Sequence, residues 1–215
     1  MKFYEAVLSS AAFRVRIALN LKGLAYESVV FDLRANQHLT EEYRRVNPMR
    51  SVPALELAPG QFLFESMAIV EYLDETHPEP PLLPKEPLAR SRVRAIAQLV
   101  ACDIHPLNNL RVLLYLGKTL GQSQAARDEW ARHWITAGFA AIEAMLGDTR
   151  SGRFCHGDTP GLADICLVPQ VFNARRPGID TPLAPYPRLM KVHEACMALP
   201  AFADADPAKQ PDAEP

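Results

Sequence analysis

Residues 77–87 read HPEPPLLPKEP, with prolines at 78, 80, 81, 84 and 87. Proline fixes φ and removes a backbone donor, so neither a helix interior nor a central strand persists through such a stretch. It reads as a linker between two domains of different kinds. N-terminal to it, strand and helix signals alternate. C-terminal to it, the pattern is helical throughout. The expected fold class is an α+β domain over residues 1–80, a Pro-rich linker at 81–87 and an all-α helical domain over 88–215.

Working back from the linker, ESMAIVEYLDETH (65–77) reads as a helix that stops before Pro78. VPALEL (52–57) and QFLFES (61–66) are short strands joined by Ala58-Pro59-Gly60, a hairpin signal. YESVVFDL (26–33), rich in β-branched residues, is another strand. FRVRIALNLKG (13–23) sets Phe13, Ile17 and Leu21 on one helical face. Lys22 falls in its last turn, and Gly23 just beyond is a C-terminal stop. KFYEAV (2–7) supplies the first strand. The order β-α-β-β-β-α implies a small mixed sheet with helices packed on it.

Beyond the linker, Val93, Ile96, Val100, Ile104 and Leu107 recur at helical spacing, in one long helix that Pro106 is expected to kink. Trp130, Trp134, Ala137, Ala141 and Met145 form a second stripe, expected to face a bundle core. GLADICLVPQVFNARR (161–176) is a third helix, and a last one starts at Pro187. ADADPAKQPDAEP (203–215) lacks apolar content and is expected to be loosely held.

Composition excludes several function classes. The 215 residues are 48% hydrophobic and 22% charged, with a net charge of −2, as in ordinary globular chains. That balance gives no field for nucleic acid or an anionic membrane. No apolar run approaches the roughly 20 residues that span a bilayer. The N-terminus lacks the apolar core of a signal peptide, so a cytoplasmic location is expected. Cys102, Cys155, Cys166 and Cys196 form no C-x-x-C pair. Cys102 and His105 alone are too few ligands for zinc, so no metal is expected, and the thiols read as buried and reduced.

Three local features carry chemistry. Ser9-Ser10 stands at the start of the first helix, where unpaired N–H groups and a partial positive charge favour either a capping oxygen or a bound anion. Val52-Pro53 enters an apolar strand. It is either a trans edge-strand proline or a cis bond that leaves the Val52 backbone open to an extended peptide. Glu65-Ser66 opens the next helix, either as a cap or as a second anion cradle with a carboxylate for a ligand amine.

In this order, and followed by the linker and an all-helical part, these features resemble a cytosolic glutathione transferase over the whole chain. The resemblance is narrowest to the zeta class, which includes the maleylacetoacetate and maleylpyruvate isomerases. The blocks that carry it are SSAAFRVRIALNLKG, NPMRSVPALEL, ESMAIVEYLDE, PLLPKEPLARSRVRAIA, DIHPLNNLRVL, GDTPGLADICLVPQV and NARRPGIDTPLAPYP. It implies a thioredoxin-like N-terminal domain that binds glutathione, and a helical domain that shapes the electrophile site. By residue-to-residue matching it implies that Ser9 hydrogen-bonds the glutathione sulfur, with Ser10 beside it as the second catalytic candidate. Val52 would pair with the tripeptide backbone before a cis Pro53, and Glu65 and Ser66 would hold the γ-glutamyl end. His38, His105 and Asn109 match contacts to the glycyl end or the thiol. Asp103 matches a residue that reaches the partner subunit's ligand, since such proteins are homodimers. Arg111 and Arg176 match the arginines that bind the substrate.

The implied reaction is cis–trans isomerisation of maleylacetoacetate or maleylpyruvate in aromatic or tyrosine catabolism, by thiolate addition, bond rotation and elimination. The sequence departs from the class pattern near the thiol site. Leu8 stands where an arginine is usual, and Ala11 and Ala12 where cysteine and serine are usual. Loss of that arginine leaves a greasier pocket. The alternative activity is therefore a glutathione transferase that conjugates or dehalogenates a less anionic electrophile. Gly161 stands at a helix cap usually held by serine or threonine, and Asp164 is expected to compensate through the helix dipole.

Overall fold

A computed structural model of the protein describes residues 1–210. The chain forms two compact units, Met1–Leu82 joined by the segment from Ala198 onward, and Leu83–Met197.

The first unit carries β1 (Lys2–Glu5), α1 (Ser10–Leu21), β2 (Glu27–Val30), α2 (Glu41–Val46), β3 (Ala54–Ala58), β4 (Gln61–Phe64) and α3 (Ser66–Thr76). The four strands form one mixed sheet in the order β2-β1-β3-β4. Helix α1 is buried on nearly every side, well beyond the single face of Phe13, Ile17 and Leu21 read from the sequence. It ends as expected. Gly23, at φ 65°, follows the cap; its N–H bonds to the Asn20 carbonyl, and that of Leu24 to the Leu19 carbonyl, which satisfies two orphan carbonyls. Lys22 does more than complement a helix end. Its Nζ donates to Asp74 Oδ1 (2.7 Å) and to the carbonyls of His77 and Pro80 (both 2.6 Å), pinning α1 to the end of α3 and the proline-rich stretch.

The segment after Met197, expected to belong to the helical domain and to be loose from residue 203, belongs with this unit instead. It forms the short helix α9 (Pro200–Ala203), with Phe202 and Ala205 buried. The reason is α1. Arg16, fully buried, donates from Nε to the Ala205 carbonyl (3.1 Å), and Asn20 Nδ2 donates to the Ala201 carbonyl (3.1 Å). The remainder of the expected loose tail, residues 211–215, lies outside the described residues.

The second unit holds α4 (Pro87–Gln98), α5 (Leu110–Lys118), α6 (Gln124–Leu146), α7 (Leu162–Ala174) and α8 (Pro187–Met197). Val93, Ile96, Val100 and Ile104 are buried as their spacing predicts. Pro106 does not kink one long helix. The chain passes from α4 into a π-helical stretch, Leu99–Ile104, and stops, with the His105 N–H bonded five residues back to the Val100 carbonyl. Pro106 has no N–H with which to continue the ladder.

The core stripe of α6 also differs from the expected one. Ala131, Ile135, Phe139, Ile142 and Leu146 are buried, whereas Trp130 and Trp134 are half-buried, and Ala137 and Ala141 are exposed. Two neighbouring apolar stripes compete on this helix. An indole N–H needs a polar partner, which for Trp130 is the Leu107 carbonyl at 2.8 Å. Three cysteines are buried, but Cys102 is exposed, contrary to expectation. Asp164 does more than offset a dipole. It is buried in the first turn of α7, where Oδ2 accepts the Gly161 N–H and Oδ1 the Cys155 N–H, each at 2.9 Å. That is half of a capping box, retained without a capping hydroxyl.

Candidate active site

Strand direction decides where the expected residues meet. β2 runs parallel to β1, β3 runs against β1, and β4 runs against β3 and therefore with β1. The carboxyl ends of β1 and β4 and the amino end of β3 thus lie at one end of the sheet, where Tyr4, Ala54 and Phe64 share a row. Ser9 follows β1, Val52-Pro53 precedes β3, and Glu65-Ser66 follows β4. Three motifs distant in sequence converge at one edge, the end of an open sheet where ligands bind.

Ser9 is the N-cap of α1. Its Oγ accepts the Ala12 N–H at 3.2 Å, while its own hydrogen stays available to donate. Ser9 is half-exposed, and Ser10, the first helical residue, is buried. No acidic residue sits in the first turn to offset the positive helix end. Cap and anion donor, alternatives in the sequence, are therefore compatible roles of one hydroxyl.

The Val52-Pro53 bond is cis. Two side chains that sequence reasoning did not single out hold this entry from behind. Fully buried Asn47 donates from Nδ2 to the Ser51 carbonyl (2.8 Å) and accepts the Met49 N–H (3.0 Å). The Tyr43 hydroxyl donates to the same Ser51 carbonyl at 2.8 Å. Burial pushes the Tyr43 phenol well above its ordinary value, so it stays a protonated donor. The only advance signal was the Asn47-Pro48 dipeptide, a turn former.

Glu65 adopts φ 69° and ψ 115°, a strained conformation for a residue with a side chain. It is the N-cap of α3, yet its exposed carboxylate makes no capping bond, and no acidic residue follows in the first turn. A second helix terminus is thereby presented with a carboxylate beside it. Ser66 is buried, and its Oγ accepts from Arg14 Nη1 at 3.3 Å, tying α1 to α3. His38 sits in a single 3₁₀ turn, Gln37–Leu39, of the connection that leaves β2 at this same end. Burial lowers its pKa, which keeps the imidazole neutral at pH 7.

The other expected residues belong to the second unit. Asp103 is exposed in the π-helical stretch, and His105, half-exposed, ends it. Asn109 is the N-cap of α5, its Oδ1 accepting the Arg111 N–H at 3.1 Å, and the Arg111 side chain is exposed. Arg176 lies in the turn after α7, with Nη1 donating to Asn173 Oδ1 at 3.4 Å. Its neighbour Arg175 is directed elsewhere, toward His193 Nε2 on α8 at 3.4 Å.

A family model of the glutathione S-transferase N-terminal domain matches residues 8–76, and one of the C-terminal domain matches residues 124–195. A maleylpyruvate isomerase of Ralstonia sp. is 49% identical over 213 residues, 99% of either chain. The holo structure of a maleylpyruvate isomerase, described as a bacterial glutathione S-transferase of the zeta class, superposes with a TM-score of 0.96. It is 48% identical and both chains are covered completely. This chain is a zeta-class glutathione S-transferase. A maleylacetoacetate isomerase structure from Methylobacterium extorquens AM1, with bound malonate and glutathione, matches with a TM-score of 0.96. It is 41% identical, again over the whole of both chains. Within this glutathione S-transferase, the N-terminal family match begins at Leu8, which is 52% exposed beside Ser9.

Proposed function

We propose that this glutathione S-transferase is a glutathione-dependent cis–trans isomerase of maleylpyruvate or maleylacetoacetate. The observation that carries the reading is the convergence of Ser9, Val52-Pro53 and Glu65-Ser66 at one end of the sheet. There, two helix N-termini lack acidic residues in their first turns. These groups fit a tripeptide with a thiol at one end and a free α-amino acid at the other. Ser9, with Ser10 beside it, holds the sulfur, and Val52 meets the peptide backbone. Glu65 and Ser66 hold the γ-glutamyl ammonium and carboxylate. His38, His105 and Asn109 take the glycyl end, and Asp103 reaches the partner subunit's ligand.

When bound, glutathione supplies a thiolate nucleophile that adds reversibly to the cis double bond. The chain's own residues do the rest. The Ser9 hydroxyl and the α1 terminus favour the ionised thiol over the neutral one. Arg111 and Arg176 bind the substrate carboxylates and stabilise the charge that develops on the conjugated carbonyl oxygen. We take the protein to act as a cytoplasmic homodimer in the breakdown of aromatic compounds, a view supported by its family and by the names of its relatives.

Glutathione with maleylpyruvate or maleylacetoacetate, followed in the ultraviolet, tests the reaction. No turnover of either, alongside conjugation of chlorodinitrobenzene or dechlorination of dichloroacetate, overturns the isomerase reading. Exposed Leu8 gives that second activity its support, because an apolar branch beside the thiol site suits a less anionic electrophile. Leu8→Arg is accordingly expected to lower KM for a dicarboxylate substrate by about 3- to 10-fold, roughly 0.7–1.4 kcal/mol. Steady-state kinetics with the cis diacid and with chlorodinitrobenzene check it, and only the former should improve.

Glu65 supplies a stability–function contrast. Strain at such a conformation costs about 1–3 kcal/mol. Glycine removes the strain and returns up to about 1 kcal/mol as unfolded-state entropy. Glu65→Gly is expected to stabilise the protein by about 1 kcal/mol in a denaturant melt. It should also raise KM for glutathione by roughly 10-fold or more through loss of a charge-assisted contact.

A further inference from the structure

In the second unit, α7 and the turn before α5 are joined by a pair of buried amides. Asn173, 3% exposed, donates from Nδ2 to Oδ1 of Asn108, 1% exposed, at 2.7 Å. Arg176 Nη1 donates to the other end of the same amide, Asn173 Oδ1, at 3.4 Å. A guanidinium has only donors, so Asn173 must turn its oxygen toward Arg176 and its nitrogen toward Asn108. Asn108 must then present its own oxygen, which leaves its Nδ2 buried and without a partner among the described residues. The cation thus sets every orientation in the chain, and the chain in turn anchors the cation to the turn that carries Asn109 and Arg111.

We infer that Asn173, backed by Asn108, is a positioning residue for Arg176. Resting on the functional reading above, this makes the buried amide chain a determinant of selectivity for anionic substrates. Its chemistry suits the task. A neutral amide oxygen orients a guanidinium without setting a negative charge beside it. An aspartate at 173 would hold the same geometry, with Asn108 reversed to donate, but would cancel the charge of the guanidinium. The side chain of Arg175, one residue away, is directed toward His193 on α8 instead.

The test uses full-length protein saturated with glutathione and malonate as the dicarboxylate probe, with binding read by calorimetry. Asn173→Asp is isosteric and should fold. Asn173→Ala tests loss of the contact, with thermal melts run in parallel. Both should weaken malonate binding, by about 10-fold for aspartate and about 3- to 5-fold for alanine. In maleylpyruvate kinetics kcat/KM should fall, by more than any change in kcat/KM for chlorodinitrobenzene. In an Arg176→Ala background the Asn173→Asp effect should vanish, a result that a merely structural role does not produce. The same loss with and without Arg176, an unchanged affinity, or no malonate binding by the unsubstituted protein overturns the inference. Absent isomerase turnover with an intact Asn173–Arg176 coupling overturns only the isomerase reading.

Discussion

Replacing Ser9 with alanine is expected to lower kcat/KM for isomerisation by about 10²- to 10³-fold, the usual cost of removing one hydrogen-bond donor from a reacting anion. A free thiol titrates near pH 8.5, so only a few per cent is ionised at neutral pH. The enzyme gains whatever it adds to that fraction, and on the proposed role its means are the Ser9 hydroxyl and the terminus of α1. One complication is built into the geometry, because the same oxygen caps Ala12. Alanine therefore also removes a cap worth about 1 kcal/mol. Asparagine separates the two roles. Ser9→Asn keeps a capping acceptor and so keeps stability, yet lacks the hydroxyl, and should lose turnover much as alanine does. Ser9→Thr, with both functions, should retain most of the activity. The decisive measurement is the ultraviolet absorbance of the bound thiolate as a function of pH. If Ser9→Ala leaves that titration unchanged and Ser10→Ala shifts it, the donor is the buried neighbour, and the assignment to Ser9 is wrong.

The elements of the candidate site were legible in the sequence one motif at a time, because each depends on local chemistry: a hydroxyl at a helix start, a proline at a strand entry, a carboxylate before another helix. Gly23 and the hairpin at Pro59-Gly60 were legible for the same reason. Their assembly was not, since it depends on the directions of β1, β3 and β4, which sequence order leaves open. Helix α2 was missed because its six residues bury only Tyr43 and leave no periodicity to detect. The core stripe of α6 was misplaced by one or two positions because two adjacent apolar stripes are equally good by spacing, and only the half-burial of the indoles separates them. The amide chain of Asn108 and Asn173 spans 65 positions, and the bond from Arg16 to Ala205 spans 189. Partners that distant leave no local trace, which is why a polar C-terminal segment was expected to be loose when an arginine in the first helix holds it.

That arginine carries the largest expected effect on stability. Arg16 and Glu5 are both buried and paired side chain to side chain. Arg16 also donates to the carbonyls of Ala205 and, at 2.9 Å, Val7, while Ser28 donates to Glu5. Every arm of the guanidinium is used. Replacing it with methionine keeps much of the packing volume but strands a carboxylate in the core. Breaking a buried pair from one side costs about 3–5 kcal/mol, a large share of the roughly 5–15 kcal/mol that holds a domain together. For a chain of this length, Arg16→Met should lower the melting temperature by about 6–20 °C. Removing both charges is a different case, because no ion is then left without a partner. Glu5→Gln with Arg16→Met should recover much of the loss in chemical denaturation, and equal losses in the single and double variants would falsify the ion-pair explanation. Neither variant regains the bonds to Val7 and Ala205. Val7 lies two residues before Ser9, whose N–H bonds back to the Ala6 carbonyl. The double variant, though stable, should therefore still fail to hold the Ser9 turn in place and should still cleave readily near residue 198 under limited proteolysis. Stability and site geometry are separable here because one side chain neutralises a buried charge with one nitrogen and, with another, holds the Val7 carbonyl in the turn that leads to Ser9.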